Sequence, residues 1–156
     1  MILDPVCAAP VFPKETKNID IDDHARRWNL NSDQRRAFSI VAQHSLNDGA
    51  DPLRMFLGGA GGTGKSRVIH ALTSFFAERL QPRRLRLASY TGIAARHIKG
   101  TTVHAALSLD KRRKGKIGSK TRHDLDAMWD GVDYFLIDEV SMIGCKFLTA
   151  ISEALS

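Results

Sequence analysis

An α/β fold built on a parallel sheet is predicted by three observations in this 156-residue sequence. Short apolar runs alternate with segments whose apolar residues recur at helical spacing. A glycine-rich turn joins one such run to the helix that follows it. The run Tyr134 to Ile137 is continuously apolar, as in a strand covered on both faces. The composition, 43% hydrophobic and 26% charged, is ordinary for a globular domain and argues against disorder or a collagen-like chain. No apolar run approaches the ~20 residues of a membrane span, so no membrane partner is expected.

The elements follow in order. Pro5, Pro10 and Pro13 remove backbone donors early in the chain, and residues 1–30 are read as an extended amino-terminal arm. The opening MILDPVCAAP has an acid and a proline where a secretory signal would be basic and then apolar, so an intracellular protein is expected. Cys7 and Cys145 are isolated, which suggests reduced thiols rather than a disulfide or zinc site. Over residues 31–47, Ala37, Phe38, Ile40, Val41 and Leu46 lie near helical spacing, with Asn31 as N-cap and Gln34 completing a capping box. A turn from Asn47 to Pro52 leads to a strand near 53–58 and a glycine loop. The next helix is marked by Val68, Ile69, Leu72, Phe75, Phe76 and Leu80. A second strand is expected at 85–90, then a short helix in TGIAARHIKG closed by Gly100. Beyond it come a helical turn over Leu125 to Trp129, a strand at 132–138, and a last helix within Met142 to Leu155 carrying Phe147, Leu148 and Ile151.

The net charge of +6 is local, because KRRKGKIGSKTR (residues 111–122) holds seven Lys or Arg and no acid, leaving the remainder at −1. This basic insertion, 110–123, fits a solvated surface loop, a nucleic-acid contact, or a nuclear import signal in Lys111 to Lys114.

The chemistry begins at Gly59, Ala60, Gly61, Gly62, Thr63, Gly64, Lys65 and Ser66, which satisfy G-x-x-x-x-G-K-[ST]. Such a loop lets backbone N–H groups approach phosphate oxygens at φ angles that side chains forbid. Lys65 would reach the β and γ phosphates of ATP, Ser66 would ligate Mg²⁺, and the following helix would present its positive dipole end. Asp138 and Glu139 end the buried strand, where parallel sheets face their ligand crevice. Asp138 is read as the Mg²⁺-holding Walker B acid and Glu139 as the group that orients and deprotonates the attacking water. An acidic start to the following helix is the other role these two residues fit.

The series GGAGGTGKS, ASYTGIAA, GTTVHAAL and LIDEVSMI, in this order, resembles the amino-terminal motifs of superfamily 1 DNA helicases of the Pif and RecD type, Helitron transposon helicases among them. The phosphate loop is common to many ATPases, whereas DEVSM with G-x-T-x-H upstream of it is far more specific. The resemblance runs from about Leu30 to the end. It implies a P-loop NTPase with a partial RecA-like parallel sheet and flanking helices over residues 31–156. It also implies ATP and Mg²⁺ as cofactors, single-stranded DNA as partner, 5′ to 3′ unwinding, and a role in DNA repair, recombination, telomere maintenance or transposon replication, hence a nuclear location.

Residue by residue, the resemblance implies that Gln34 reads the adenine edge, besides its capping role. Thr91 and Gly92 would grip a single-strand phosphate, although Thr91 also fits an ordinary N-cap. Thr102 and His104 would lie near the DNA channel, although a partly buried structural histidine fits as well. Tyr90 stands where the family often has Pro or Ser, and Ala105 where it often has Ser. The arginine finger and DNA motifs of a second RecA-like lobe do not occur in these residues. The chain is therefore read as an amino-terminal half-lobe whose sheet has a gap between the Walker A and Walker B strands. A non-motor nucleotide-binding module, or a transposon remnant without turnover, is the alternative. A small-molecule kinase is disfavoured because DEVSM offers no acceptor site.

Overall fold

The computed structural model describes residues 17–47, 49–59, 62–109 and 119–155, the side chains of 119–122 excepted. Its elements are α1 (Ile21–Arg27), α2 (Ser32–His44), α3 (Lys65–Glu78), β1 (Leu85–Ser89), α4 (Gly92–His97), β2 (Thr101–Thr102), α5 (Val103–Leu107), α6 (Ser119–Trp129), β3 (Tyr134–Asp138) and α7 (Cys145–Leu155). Short 3-10 turns at Pro82–Arg84 and Val140–Met142 precede β1 and follow β3.

The three strands form a parallel sheet in the order β2-β1-β3. Side chains of β3 alternate between its faces, as a period of two requires. Tyr134 and Leu136 pack on the face covered by α1, α2 and α3, against a core that includes Phe38, Phe75 and Phe76. Phe135 and Ile137 pack on the opposite face with Ala88, Val103, Leu107 and Ile151. Apolar cover on both sides explains the unbroken run in this strand. Rings form a continuous path through the first layer: His24 stacks on Phe38 at 5.4 Å, Phe38 meets Phe75 edge-on at 5.6 Å, and Phe76 reaches Tyr134 at 5.4 Å. Burial of each such phenylalanine stabilises the fold by about 1.5–3 kcal/mol.

Helix α2 begins as its sequence predicts. Asn31 Oδ1 accepts from the Gln34 amide at 2.9 Å and Gln34 Oε1 accepts from the Asn31 amide at 3.1 Å, a complete capping box. Two expectations are corrected. The extended arm over 1–30 does not hold through its second half: residues 21–27 are helical, capped by Asp20, whose carboxylate accepts from Asp23 N at 2.6 Å. Tertiary contact explains this short helix, because His24 and Ala25 are buried against α2 and α3. Residues 1–16 lie outside the described residues. The strand expected at 53–58 joins no ladder. Leu53 and Leu57 pack against the first core, yet Phe56 is 77% exposed, and no described strand pairs with the outer edge of β3. An extended segment becomes a strand only with a hydrogen-bonded neighbour. Most of the basic insertion, residues 110–118, also lies outside the described residues.

Candidate functional site

The parallel register aligns the carboxyl ends of the strands. Ser89 pairs with Thr102 on one side and Asp138 on the other, and Ser89 Oγ donates to the Asp138 carbonyl at 3.2 Å. Tyr90 and Thr91, Val103 and His104, and Glu139 therefore leave the sheet at one edge.

The phosphate loop runs into α3. Gly59, Gly62 and Gly64 have φ of 151°, 81° and 82°, values that a side chain rarely adopts. A Cβ at Gly59 would fall 2.9 Å from Thr63 Oγ1, so the loop is a cradle that side chains would fill. Gly64 caps α3 without a side chain, and the first turn of that helix holds no acid, which leaves its N–H groups and dipole facing the loop. Lys65 Nζ donates to the Gly59 carbonyl at 2.7 Å, folding back over the glycines. Ala60 and Gly61 lie outside the described residues.

Gln34 braces this loop from α2. Its Nε2 donates to the carbonyls of Thr63 at 3.2 Å and Gly64 at 3.4 Å, while Oε1 completes the capping box. Both ends of the amide are thus engaged with protein, and an adenine contact would require Nε2 to leave those carbonyls. The phosphate-loop helix is anchored at further points. Arg67 Nε donates to Trp28 O at 3.0 Å, and Arg27 pairs with Glu78 at 2.9 Å. His24 Nε2 donates to Ala71 O at 3.0 Å. Burial lowers the pKa of His24, and the Arg27 hydrogen bond holds that of Glu78 below the usual carboxylate range.

Across the sheet edge, Asp138 is half-buried and Glu139 exposed. Glu139 has the left-handed φ of 56°, and its amide donates to Asp138 Oδ1 at 2.9 Å. Ser66, exposed at the start of α3, and Asp138 are hard oxygen donors of the kind Mg²⁺ takes in small number while keeping waters and phosphate. Among the described residues there is no cluster of three His, Cys, Asp or Glu fit for a metal held by protein alone.

The residues expected to contact DNA gather at the same edge. Thr91 caps α4, accepting from Ala94 N at 3.2 Å, and Gly92 opens that helix with open space where a Cβ would stand. Thr102 caps α5 through Ala105 N at 3.2 Å. His104 lies 4.5 Å from the Phe147 ring and 6.0 Å from Tyr90, which is 37% exposed. Sequence reasoning missed two features. This ring cluster draws on three separate segments, and Thr91 Oγ1 donates to Glu139 Oε2 at 3.4 Å. Neither has a local signal, since register alone brings residues 91 and 139 together.

Comparisons with known proteins identify the family of the chain. A family model described as PIF1-like helicase matches residues 29–156. The chain is 32% identical over 99 residues to the ATP-dependent DNA helicase PIF3 of Trypanosoma brucei brucei, covering 64% of this chain and 12% of that protein. It is 30% identical over 128 residues to the ATP-dependent DNA helicase PIF1 of the same organism, covering 81% and 12%. With the ATP-dependent DNA helicase PIF1 of Xenopus laevis it shares 30% over 115 residues, covering 70% and 18%. The chain thus spans less than a fifth of the length of these relatives. No solved structure matches it. With the phosphate loop, the Asp138–Glu139 pair and a matching family model over 29–156, the chain belongs to the PIF1-like helicase family.

Proposed function

We propose that these residues form the ATP-binding half-lobe of a 5′ to 3′ DNA helicase, in which ATP hydrolysis drives unwinding. The observation that supports this most is the common edge: Asp138 and Glu139 leave β3 where Thr91 follows β1 and His104 follows β2, so the hydrolytic acids and the candidate strand contacts adjoin. Backbone N–H groups at the start of α3 would hold the phosphates, and Lys65 would exchange the Gly59 carbonyl for the β and γ oxygens. Bound Mg²⁺ would neutralise phosphate charge, with Ser66 and Asp138 as the side chains that hold it. Glu139 would orient the attacking water and take its proton. Thr91, Gly92, Thr102 and His104 would bind single-stranded DNA. The polarity, and a nuclear role in repair, recombination, telomere maintenance or transposon replication, follow from the motif series, with Lys111 to Lys114 as the import signal.

The test is ATP hydrolysis by the purified chain with and without oligothymidylate, beside Lys65→Ala and Glu139→Gln. Turnover stimulated by DNA and lost in both variants supports the reading. Turnover that survives Glu139→Gln removes Glu139 from the chemistry. Nucleotide binding retained in Glu139→Gln and lost in Lys65→Ala, with no turnover in any form, would mean an intact phosphate site in a half-lobe that does not turn over alone, whereas turnover that DNA leaves unstimulated favours the non-motor nucleotide module.

A further inference from the structure

Thr91 and Glu139 are 48 residues apart in sequence, yet they face each other because Ser89 and Asp138 are register partners. The Thr91 hydroxyl accepts from Ala94 N at 3.2 Å and donates its one proton to Glu139 Oε2 at 3.4 Å. Glu139 is held at two other atoms: its amide donates to Asp138 Oδ1 at 2.9 Å, and its carbonyl accepts from Met142 N at 3.1 Å. Its left-handed φ of 56° is uncommon for a residue with a side chain, so the surrounding contacts define where the carboxylate starts.

We propose that Thr91 is a positioning residue for Glu139, holding its carboxylate until a single-stranded DNA phosphate takes the Thr91 hydroxyl proton. This rests on the reading above, in which Thr91 grips the strand and Glu139 activates water. The argument is one of hydrogen-bond capacity. A threonine hydroxyl has a single donor, and carboxylate and phosphate are both anionic acceptors for it. Donation to one therefore excludes donation to the other. Strand binding at Thr91 frees Glu139, and the 3.4 Å separation makes the tether weak enough for a phosphate to displace. The acid that deprotonates water is then released as DNA binds, which ties hydrolysis to the strand without any movement of the sheet.

The experiment follows the side-chain carboxyl carbon of Glu139 by NMR in the full 156-residue chain, its resonance assigned by Glu139→Gln. Oligothymidylate is titrated in, with binding read independently from the anisotropy of a labelled strand. In the wild-type chain the Glu139 resonance shifts as the strand binds. In Thr91→Val, which removes the hydroxyl at nearly constant shape, the resonance is shifted before any DNA is added and moves no further. Thr91→Asp keeps a cap for Ala94 N but has no proton to donate, so it shows the released position with the helix start intact. Thr91→Ser retains the wild-type resonance. A normal anisotropy rise with a static Glu139 resonance overturns the proposal alone, as does an unshifted resonance in both Thr91→Val and Thr91→Asp. Absence of any anisotropy change overturns the DNA reading and the proposal with it.

Discussion

The side-chain amide of Gln34 lies in the space that a Cβ on Gly64 would fill. Gly64 has φ of 82° and caps α3, so the last turn of the phosphate loop and the first turn of α2 are packed against each other with the Gln34 amide between them.

Gly64→Ala therefore meets two obstacles, a left-handed backbone and the Gln34 amide. The left-handed term alone costs about 1–2 kcal/mol. Urea unfolding of Gly64→Ala, Gln34→Ala and the double variant separates the two. We expect the double variant to be less unstable than the sum of the singles, because removing the amide relieves the contact. Strict additivity would show that Gln34 does not restrain the loop.

A pH dependence follows from His24, which is fully buried. Arg27 donates to its Nδ1 at 3.0 Å, so Nε2 carries the hydrogen that is given to Ala71 O. Protonation would put an N–H against the Arg27 guanidinium, with Glu78, 3.7 Å away, and Asp23 as the carboxylates acting on it among the described residues. Burial, the largest influence, holds the folded pKa below 6.5. The unfolded chain then takes up a proton that the folded one refuses, so stability is full above about pH 6.5 and falls as pH drops through that value toward the lower folded pKa. Urea midpoints between about pH 7.5 and 5.5 should decline in the wild-type chain and decline less in His24→Ala. The variant should also lose about 2–4 kcal/mol at neutral pH, from lost packing and an orphaned Ala71 carbonyl. Equal slopes in the two proteins would contradict the assignment.

What could be read from sequence was what lies within a few residues. The capping box of α2 is contained in Asn31 to Gln34, the phosphate loop in Gly59 to Ser66, and the double-faced burial of β3 in its own apolar run. Helix α1 escaped because its buried residues, His24 and Ala25, make no apolar stripe, although Asp20 was a readable cap. The strand at 53–58 was overread: apolar content signals burial, but a ladder depends on a partner elsewhere in the chain. Strand β2 is two residues long and has no period to detect. The contacts of Thr91 with Glu139, and of Tyr90 and His104 with Phe147, depend on register and helix docking, which local patterns do not encode.

Tyr134 ties the start of β3 to α2. His44 Nε2 donates to Asp51 O at 2.8 Å, which fixes Nδ1 as the acceptor of the Tyr134 hydroxyl at 2.6 Å. Burial raises the pKa of Tyr134, so the hydroxyl keeps its proton over the working range. Tyr134→Phe keeps the ring contact with Phe76 but leaves Nδ1 of His44 without this donor. We expect a loss of about 1 kcal/mol in chemical unfolding, with the far-ultraviolet spectrum unchanged. No loss would mean that water replaces the hydroxyl.

Lys65 tests whether the loop recognises nucleotide. In the structure its ammonium rests on the Gly59 carbonyl, and the residue is half-buried at the start of a helix whose first turn has no acid. Removing the ammonium leaves the glycine conformations and the α3 cap in place, so Lys65→Ala should change unfolding without ligand by less than about 1 kcal/mol. Added nucleotide behaves differently. A ligand that binds only the folded state stabilises it by about 2.7 kcal/mol at a hundredfold excess over its dissociation constant. ATP with Mg²⁺ should therefore raise the melting temperature of the wild-type chain and of Glu139→Gln, since the role proposed for Glu139 is on water rather than on the phosphates. The same addition should leave Lys65→Ala unmoved. A shift of equal size in Lys65→Ala would mean that the backbone cradle alone holds the phosphates, and the ammonium would lose its assigned role.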